Sequence, residues 1–262
     1  MAWLVSAGLS GCNYVEYFIP LNPTSATGRP VNHAPWDALL KKHVDERGMV
    51  NYCGLQRDSA QLNGYLDSLG HNLPATHWSE AEQLAYWLNA YNAFTIRRVI
   101  RAYPIGSIRE LGGEQTLLNT VWDQPFIALG NARYTLNDLE HRLIRRRFAE
   151  PRIHFALVCA AVSCPQLRRE AYQATRLNAQ LDDQARDFVN DPRKNQLTPP
   201  ASPRVSAIFR FYPQDFHQGD ATVQSWINRY ARQPIASAAQ LRYLPYNWQL
   251  NAQPETAGSP RE

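Results

Sequence analysis

The feature that most constrains the fold is the stretch at residues 78–104, "WSEAEQLAYWLNAYNAFTIRRVIRAYP". Ser79 is a favoured N-cap residue, Glu82 three positions later completes a capping box, and Pro104 cannot continue a helix. Apolar side chains follow the helical repeat in two adjacent stripes, formed by Leu84, Leu88 and Tyr91 and by Trp87, Ala90 and Phe94. A helix that is apolar over much of its circumference belongs in the centre of a domain.

The polar residues of this helix also share a face. At about 100° per residue, Glu82, Asn89 and Asn92 fall within roughly 80° of one another. Buried polar groups need hydrogen-bond partners. This stripe is therefore expected to orient a histidine, to line a pocket, or to hold the backbone of a neighbouring loop, and the sequence leaves these alternatives open.

The rest of the pattern predicts an α+β fold. Amphipathic helices are expected at residues 35–46, 57–70, 137–148, 176–191 and 222–231, and extended segments at residues 48–55, 122–136, 152–159, 207–213 and 241–248. The segment at 122–136 reads as a hairpin with Gly130-Asn131 at its turn. We expect one domain over residues 35–250, with an N-terminal helical layer whose central apolar helix packs on a small, mostly antiparallel sheet. Residues 251–262 are expected to form a flexible tail.

A pair of cysteines follows the apolar segment "RIHFALVC", in "CAAVSCPQL" at residues 159–167. Proline is favoured at the first position of a helix, so Pro165 predicts Cys164 as the N-cap. The helix dipole and the free N–H groups there would stabilise a thiolate, as in papain-like nucleophiles. The alternatives are a buried apolar thiol and a Cys159–Cys164 disulfide.

A nucleophilic cysteine needs a base, and two histidines are candidates. His154 lies in the predicted strand before Cys164, and a straight strand of six residues would place the two roughly 20 Å apart at ~3.3 Å per residue. His141 lies on the preceding helix, where the adjacent Glu140 points away from it. The structural alternatives are a core histidine bonded to a carbonyl and a surface histidine at a helix end. The sequence ranks the two nearly equally.

Several other kinds of site find little support. The net charge of +4 comes without dense basic runs interleaved with aromatic residues, so a nucleic-acid binder is not indicated. The basic run at residues 142–147 reads as a solvated helix face, with attraction to anionic lipid as the alternative. Zinc-ligand spacing and a glycine-rich phosphate loop are missing from the sequence, so we expect neither metal nor cofactor. A metal site formed by Asp138, Glu140 and the histidines rests on clustering alone.

The N-terminus indicates export. Residues 9–12, Leu-Ser-Gly-Cys, resemble a bacterial lipobox, and residues 1–12 read as a lipoprotein signal that lacks the usual basic start. The alternative is an ordinary apolar segment. We expect lipidation at Cys12, a tether over residues 13–34, and a position on the periplasmic face of the outer membrane, since Asn13 replaces the aspartate of inner-membrane retention.

Three motifs, "EQLAYWLNAYNAFTI", "YTLNDLEH" and "PRIHFALVCAAVSCPQL", resemble domain-of-unknown-function family 547 over roughly residues 35–232. The resemblance implies a bacterial and often exported protein without a settled reaction, and a fold similar to a rearranged papain-like cysteine peptidase. Glu150 stands where the family usually has aspartate. The family's motif positions fall on Glu82, Trp87, Asn89, Tyr91, Asn92, Asn137, Asp138, Glu140, His141, Arg152, His154, Cys159, Ser163, Cys164 and Pro165.

These observations lead to the hypothesis of a cell-envelope hydrolase or acyltransferase that acts on amide or peptide-like bonds, with peptidoglycan cross-bridges as a plausible substrate. Cys164 would be the nucleophile, His141 or His154 the base, and Glu82 or an asparagine of the central helix the group that orients the imidazole. The substrate would contact Trp87, Asn89, Asn92 and Ser163. The alternative is a non-catalytic binding or scaffolding lipoprotein domain, which a disulfide to Cys164 would favour. After removal of Cys12, one pair and one odd thiol are expected among Cys53, Cys159 and Cys164.

Overall fold

The structure is a computed structural model that describes residues 28–112, 120–217, 219 and 221–254. The lipobox cysteine and most of the proposed tether lie outside the described residues. The α-helices are α1 (Ala34–His43), α2 (Tyr52–Arg57), α3 (Ser59–His71), α4 (Glu80–Ile100), α5 (Leu177–Asn190), α6 (Ile208–Phe211), α7 (Pro213–Phe216) and α8 (Val223–Tyr230). The strands are β1 (Ile127–Leu129), β2 (Ala132–Tyr134), β3 (Arg204–Val205) and β4 (Arg242–Tyr243). A π-helix spans Asp138–Ile144, and 3-10 helices span Ile108–Leu111, Val121–Asp123, Pro151–Phe155 and Ala174–Arg176.

The central position of α4 is confirmed. Its capping box forms as expected, because the Ser79 hydroxyl accepts from the Glu82 N–H and the Glu82 carboxylate accepts from the Ser79 N–H. Residues 84–96 are buried without interruption. The helix packs against α2, α3 and the π-helix, so it joins the N-terminal helical layer to the segments that carry the candidate site.

Two apolar clusters form the core. The larger one gathers α1 to α4, the β1–β2 hairpin and the π-helix around the central helix. The smaller one is built from α5 to α8 and β3, and it contains the packed rings of Phe155, Phe188, Phe209, Phe216 and Trp226. Tyr246 packs against both clusters, which places the C-terminal segment at their junction.

The α+β fold class is confirmed, although the described strands form two separate pairs. The hairpin pairs β1 with β2 antiparallel, Gly130 taking a φ of 59° at the expected turn. The second pair, β3 with β4, is parallel and only two residues long. Residues 207–213 were expected to be extended, but α6 and α7 occupy them, because Ile208 and Phe209 turn inward to the smaller cluster.

The predicted strand at 152–159 is wrong. Pro151 begins a 3-10 helix whose first turn is capped by the Glu150 carboxylate, which accepts from the Arg152 N–H. The apolar chain that follows is irregular. Its backbone polar groups bond to the central helix instead of to a strand. The Asn92 side chain donates to the Ala156 carbonyl and accepts from the Val158 N–H.

The helix expected after Pro165 is also wrong, because residues 165–173 are irregular. Side chains of distant segments form hydrogen bonds with backbone groups that would be paired within a helix. Gln184 donates to the Gln166 carbonyl at 3.0 Å, and Asn89 bonds both the N–H and the carbonyl of Tyr172. Cys164 therefore has no helix dipole behind its sulfur.

Two other segments differ from the sequence prediction. The segment at 48–55 makes two isolated bridges through Val50, to Val44 and to Ala252, and then turns into α2, which Asn51 caps. The flexible tail expected from residue 251 is wrong for residues 251–254, because Asn251 is buried and accepts from the Tyr52 hydroxyl at 2.6 Å. Among the described residues, the helices are all too short or too polar to cross a bilayer.

Candidate functional site

A pocket of about 240 Å³ lies where the two apolar clusters meet. Aromatic, aliphatic and polar side chains all line it, among them six Phe, Tyr or Trp residues. The residues that matter for its chemistry are Tyr91, Trp122, Glu140, His154, Cys164 and Tyr246. The pocket therefore unites one candidate nucleophile with one of the two candidate bases.

The sulfur of Cys164 is bonded to Cys159 in this structure. Cys164 is 2% exposed, and its Sγ accepts a hydrogen bond from the Cys159 N–H at 2.6 Å. The Sγ of Cys159, a half-buried residue, lies 3.2 Å from the Tyr246 hydroxyl. Among the described cysteines, Cys53 is the free thiol, and Arg57 lies next to it. A sulfur held in a disulfide cannot attack a carbonyl, so the candidate nucleophile is not free in this structure.

Lys194 fixes the loop that carries Cys164. Its Nζ donates to the carbonyls of Val162 and Cys164 from a buried position. Burial lowers the pKa of Lys194 to about 8. Ser163 points to the other side of the loop, where its hydroxyl accepts from the Asn247 N–H at 2.8 Å and lines a second depression together with Lys194.

His154 lies in the pocket with its ring orientation fixed. Its Nε2 is 2.6 Å from Oδ2 of Asp215, and its ring stacks on Tyr212 with centroids 4.0 Å apart. Sequence reasoning missed Asp215, because this residue lies 61 positions away on α7 and no spacing links it to His154. An imidazole whose Nε2–H is bonded to a carboxylate presents Nδ1 as its basic nitrogen.

The two histidines that the sequence could not rank are connected through Arg145. Its guanidinium donates to both oxygens of Asp215, at 2.7 and 2.8 Å, and to Nδ1 of His141 at 2.9 Å. Burial alone would raise the pKa of Asp215, but the hydrogen bonds from His154 and Arg145 outweigh it and hold that pKa well below its usual range. His141 is not among the residues that line the pocket, so His154 is the better placed base.

Glu140 is the buried acid of the pocket, at 7% exposure. The π-helix brings it there, with the Arg145 N–H bonded to the Glu140 carbonyl at 2.8 Å. The Tyr91 hydroxyl donates to its Oε2 at 3.3 Å, and the Tyr212 hydroxyl also bonds to it. Burial raises the pKa of Tyr91, Tyr212 and Tyr246, and the nearby charge of Glu140 raises each pKa further.

The candidates on the central helix do not reach the pocket. Glu82 is half-buried and its carboxylate is bonded to Ser79, so it does not orient an imidazole. Asn89 and Asn92 are buried, and their amides hold the backbone at Tyr172 and at Ala156–Val158. Trp87 is fully buried in the larger cluster. The structure thus gives the two asparagines the backbone-holding role among the alternatives.

The described residues contain no group of three or more His, Cys, Asp or Glu side chains arranged to hold a metal ion. In particular, Asp138 accepts from the hydroxyl and the N–H of Thr135 and pairs with Arg142. Its carboxylate is thus engaged by Thr135 and Arg142 and does not join Glu140 or a histidine.

Comparison with known proteins gives one match, to a protein-family model. No curated protein and no solved structure matches the chain. A family model matches residues 75–189, a range that contains α4, Glu140, His154 and both bonded cysteines but ends before Asp215. Over residues 75–189 the chain is similar to the family described as "Protein of unknown function, DUF547".

Proposed function

We propose that this protein is a thiol-dependent hydrolase or acyltransferase for amide or peptide-like bonds, whose nucleophile Cys164 is stored as a disulfide with Cys159. One observation carries the proposal. Cys164 and His154 line the same pocket, and Asp215 fixes the ring of His154 from behind. A nucleophile, a base and a group that orients the base are the parts that covalent acyl transfer needs.

The proposal includes an activation step by a dithiol reductant. A thiolate of the reductant attacks Sγ of Cys159, the more exposed of the two sulfurs, and Cys164 leaves as a thiolate. The second thiol of the reductant then displaces Cys159. The products are two free cysteines and the oxidised, cyclic disulfide of the reductant, so electrons and atoms balance.

The reaction itself uses His154 twice. Its Nδ1 takes the proton of the Cys164 thiol, and the sulfur attacks the carbonyl carbon of the substrate. The C–N bond breaks, and the imidazolium returns the proton to the leaving amine. Water or a second amine then attacks the thioester and frees Cys164. Asp215 holds the imidazole throughout and stabilises its charged form.

The cellular setting is part of the same proposal. The lipobox at Cys12 supports a lipid anchor on the periplasmic face of the outer membrane, where peptidoglycan peptides lie within reach. A fold similar to a rearranged papain-like peptidase fits a cysteine paired with a histidine, and it belongs to the proposal as a resemblance only.

Thiol labelling tests the proposal. We expect iodoacetamide to modify Cys164 in the folded protein only after dithiothreitol treatment, whereas Cys53 should react with or without it. His154→Ala should slow the modification of Cys164 by about tenfold or more at neutral pH, because the thiolate loses its partner. The matched variant His141→Ala should leave the rate nearly unchanged. Peptide mapping by mass spectrometry gives both rates.

A second function has an observation in its favour, which is the disulfide itself. In a non-catalytic binding or scaffolding domain, the bond between Cys159 and Cys164 would only secure the loop beside the pocket. If Cys164 stays unmodified in the reduced, folded protein while Cys53 reacts fully, the hydrolase proposal fails and the binding domain is favoured.

A further inference from the structure

The buried carboxylate of Glu140 forms no direct ion pair within the described part of the chain. The charge of Arg145 interacts with Glu140 at longer range, but its guanidinium is hydrogen-bonded to both oxygens of Asp215. Burying a charge is costly unless the charge is paired, so a buried acid of this kind calls for a cation.

The groups that do contact Glu140 are neutral. Trp122 hydrogen-bonds to the Tyr91 hydroxyl, which in turn donates to Glu140. Tyr212 adds a second hydroxyl. These donors satisfy oxygen lone pairs and keep the carboxylate in place, but they carry no positive charge, and Arg145 shares its charge between Glu140 and the hydrogen-bonded Asp215.

Aromatic rings surround the space next to this acid. Trp122 and Trp248 meet edge to face with centroids 5.6 Å apart, and Tyr246 lies 4.6 Å from Trp248 at an angle of 50°. All three line the pocket together with Glu140. Arg109 already lies 5.5 Å from the Trp248 ring, which shows that a cation is accommodated against this ring. Rings set at such angles around a carboxylate form the kind of site that binds alkylammonium groups.

We propose that this pocket binds the ammonium group of an amine-bearing peptide, either a lysine-like side chain or a free α-amine, with Glu140 as the counter-ion and Trp122, Tyr246 and Trp248 as the surrounding rings. As a statement about the substrate, this inference rests on the proposed function. As a statement about binding, it requires no reaction, because the disulfide form of the protein already contains the pocket.

Binding can be measured on the oxidised full chain by titration calorimetry. The probes are N-acetyl-lysine methylamide and N-acetyl-norleucine methylamide, which have side chains of similar length but differ in charge. We expect the lysine compound to bind at least about tenfold more tightly. Glu140→Gln should abolish this preference, whereas Glu46→Gln, at an exposed acid, should retain it.

Equal affinity for the two probes in the unmodified protein would overturn the inference, even if Glu140→Gln failed to fold. Retained lysine preference in a folded Glu140→Gln variant would overturn it too. The outcomes are separable from those of thiol labelling. An unreactive Cys164 with a clear lysine preference rejects the hydrolase and keeps the amine site, and a reactive Cys164 without the preference does the reverse.

Discussion

At the scale of single residues, Asp215 decides how the site is held. It bonds His154 and, through two hydrogen bonds, Arg145, and its carboxylate is the anion shared by both. The Asp215 side chain is 23% exposed and that of Arg145 is 26% exposed, so solvent screens the pair only in part. The same residue that orients the proposed base therefore also contributes to the stability of the fold.

We expect Asp215→Asn to lower the free energy of unfolding by about 2–3 kcal/mol at pH 7, because Arg145 loses its charged partner and His154 its anionic acceptor. Since the pKa of Asp215 lies below its ordinary value of 3.8, the contribution is present above that pH and is lost as the pH falls through the folded-state pKa. Urea unfolding of both proteins at pH 7, 5 and 3 measures it.

The control for this prediction is Asp67→Asn, at an exposed acid of α3, which should change stability by less than about 0.5 kcal/mol. A difference between the unmodified protein and Asp215→Asn that grows on acidification from pH 5 to pH 3 would contradict the argument, since the sign of the linkage would then be reversed.

At the scale of elements, α4 organises the molecule through its polar side chains as well as its apolar ones. Asn92 takes the place of a strand partner for Ala156 and Val158, with hydrogen bonds of 2.9 and 3.0 Å.

We expect Asn92→Ala to lower the free energy of unfolding by about 2–4 kcal/mol, because a buried carbonyl and a buried N–H each lose their hydrogen bond. Thermal unfolding followed by circular dichroism checks this.

Glu80→Ala provides the comparison on the same helix, because Glu80 is exposed in the first turn and alanine suits a helix. It should change stability little. If Asn92→Ala were equally mild, water or a rearranged side chain would have to replace the amide, and the role assigned to Asn92 would be wrong.

The same contacts explain what the sequence could and could not predict. The start of α4 and the turn of the hairpin follow from local signals at Ser79, Glu82 and Gly130, and these predictions are confirmed, whereas α4 ends at Ile100, before Pro104. The segment at 152–159 has the apolar composition of a buried strand. Its conformation depends on Asn92, which is 64 and 66 positions away from its two partners.

The candidate site was predictable to a similar degree. His154 and Cys164 carry local signals, and the structure does bring both to one pocket. Asp215 and Glu140 owe their roles to packing. The π-helical turn that aims Glu140 inward differs from an α-helix by one residue in its hydrogen bonding, and no composition rule anticipates that.

At the scale of the whole molecule, the ends of the described chain secure the pocket. The segment that supplies Tyr246 and Trp248 continues to Asn251, whose carbonyl accepts from the Val50 N–H at 2.8 Å. The Asn251 side chain accepts from the Tyr52 hydroxyl across 199 positions of sequence. The rings around Glu140 are thus positioned by contacts between the two ends.

A double-mutant cycle on this pair tests the argument. Tyr52→Phe should cost about 1–2 kcal/mol and Asn251→Ala about 2–3 kcal/mol, and the double variant should cost less than their sum by about 1 kcal/mol or more, because the two residues share one buried hydrogen bond. Urea unfolding measures the three free energies. Additive costs would show that the two residues contribute to stability independently.

Asn251→Ala should also weaken binding of N-acetyl-lysine methylamide while the protein remains folded, because Trp248 lies three residues before Asn251 in the segment that this contact anchors.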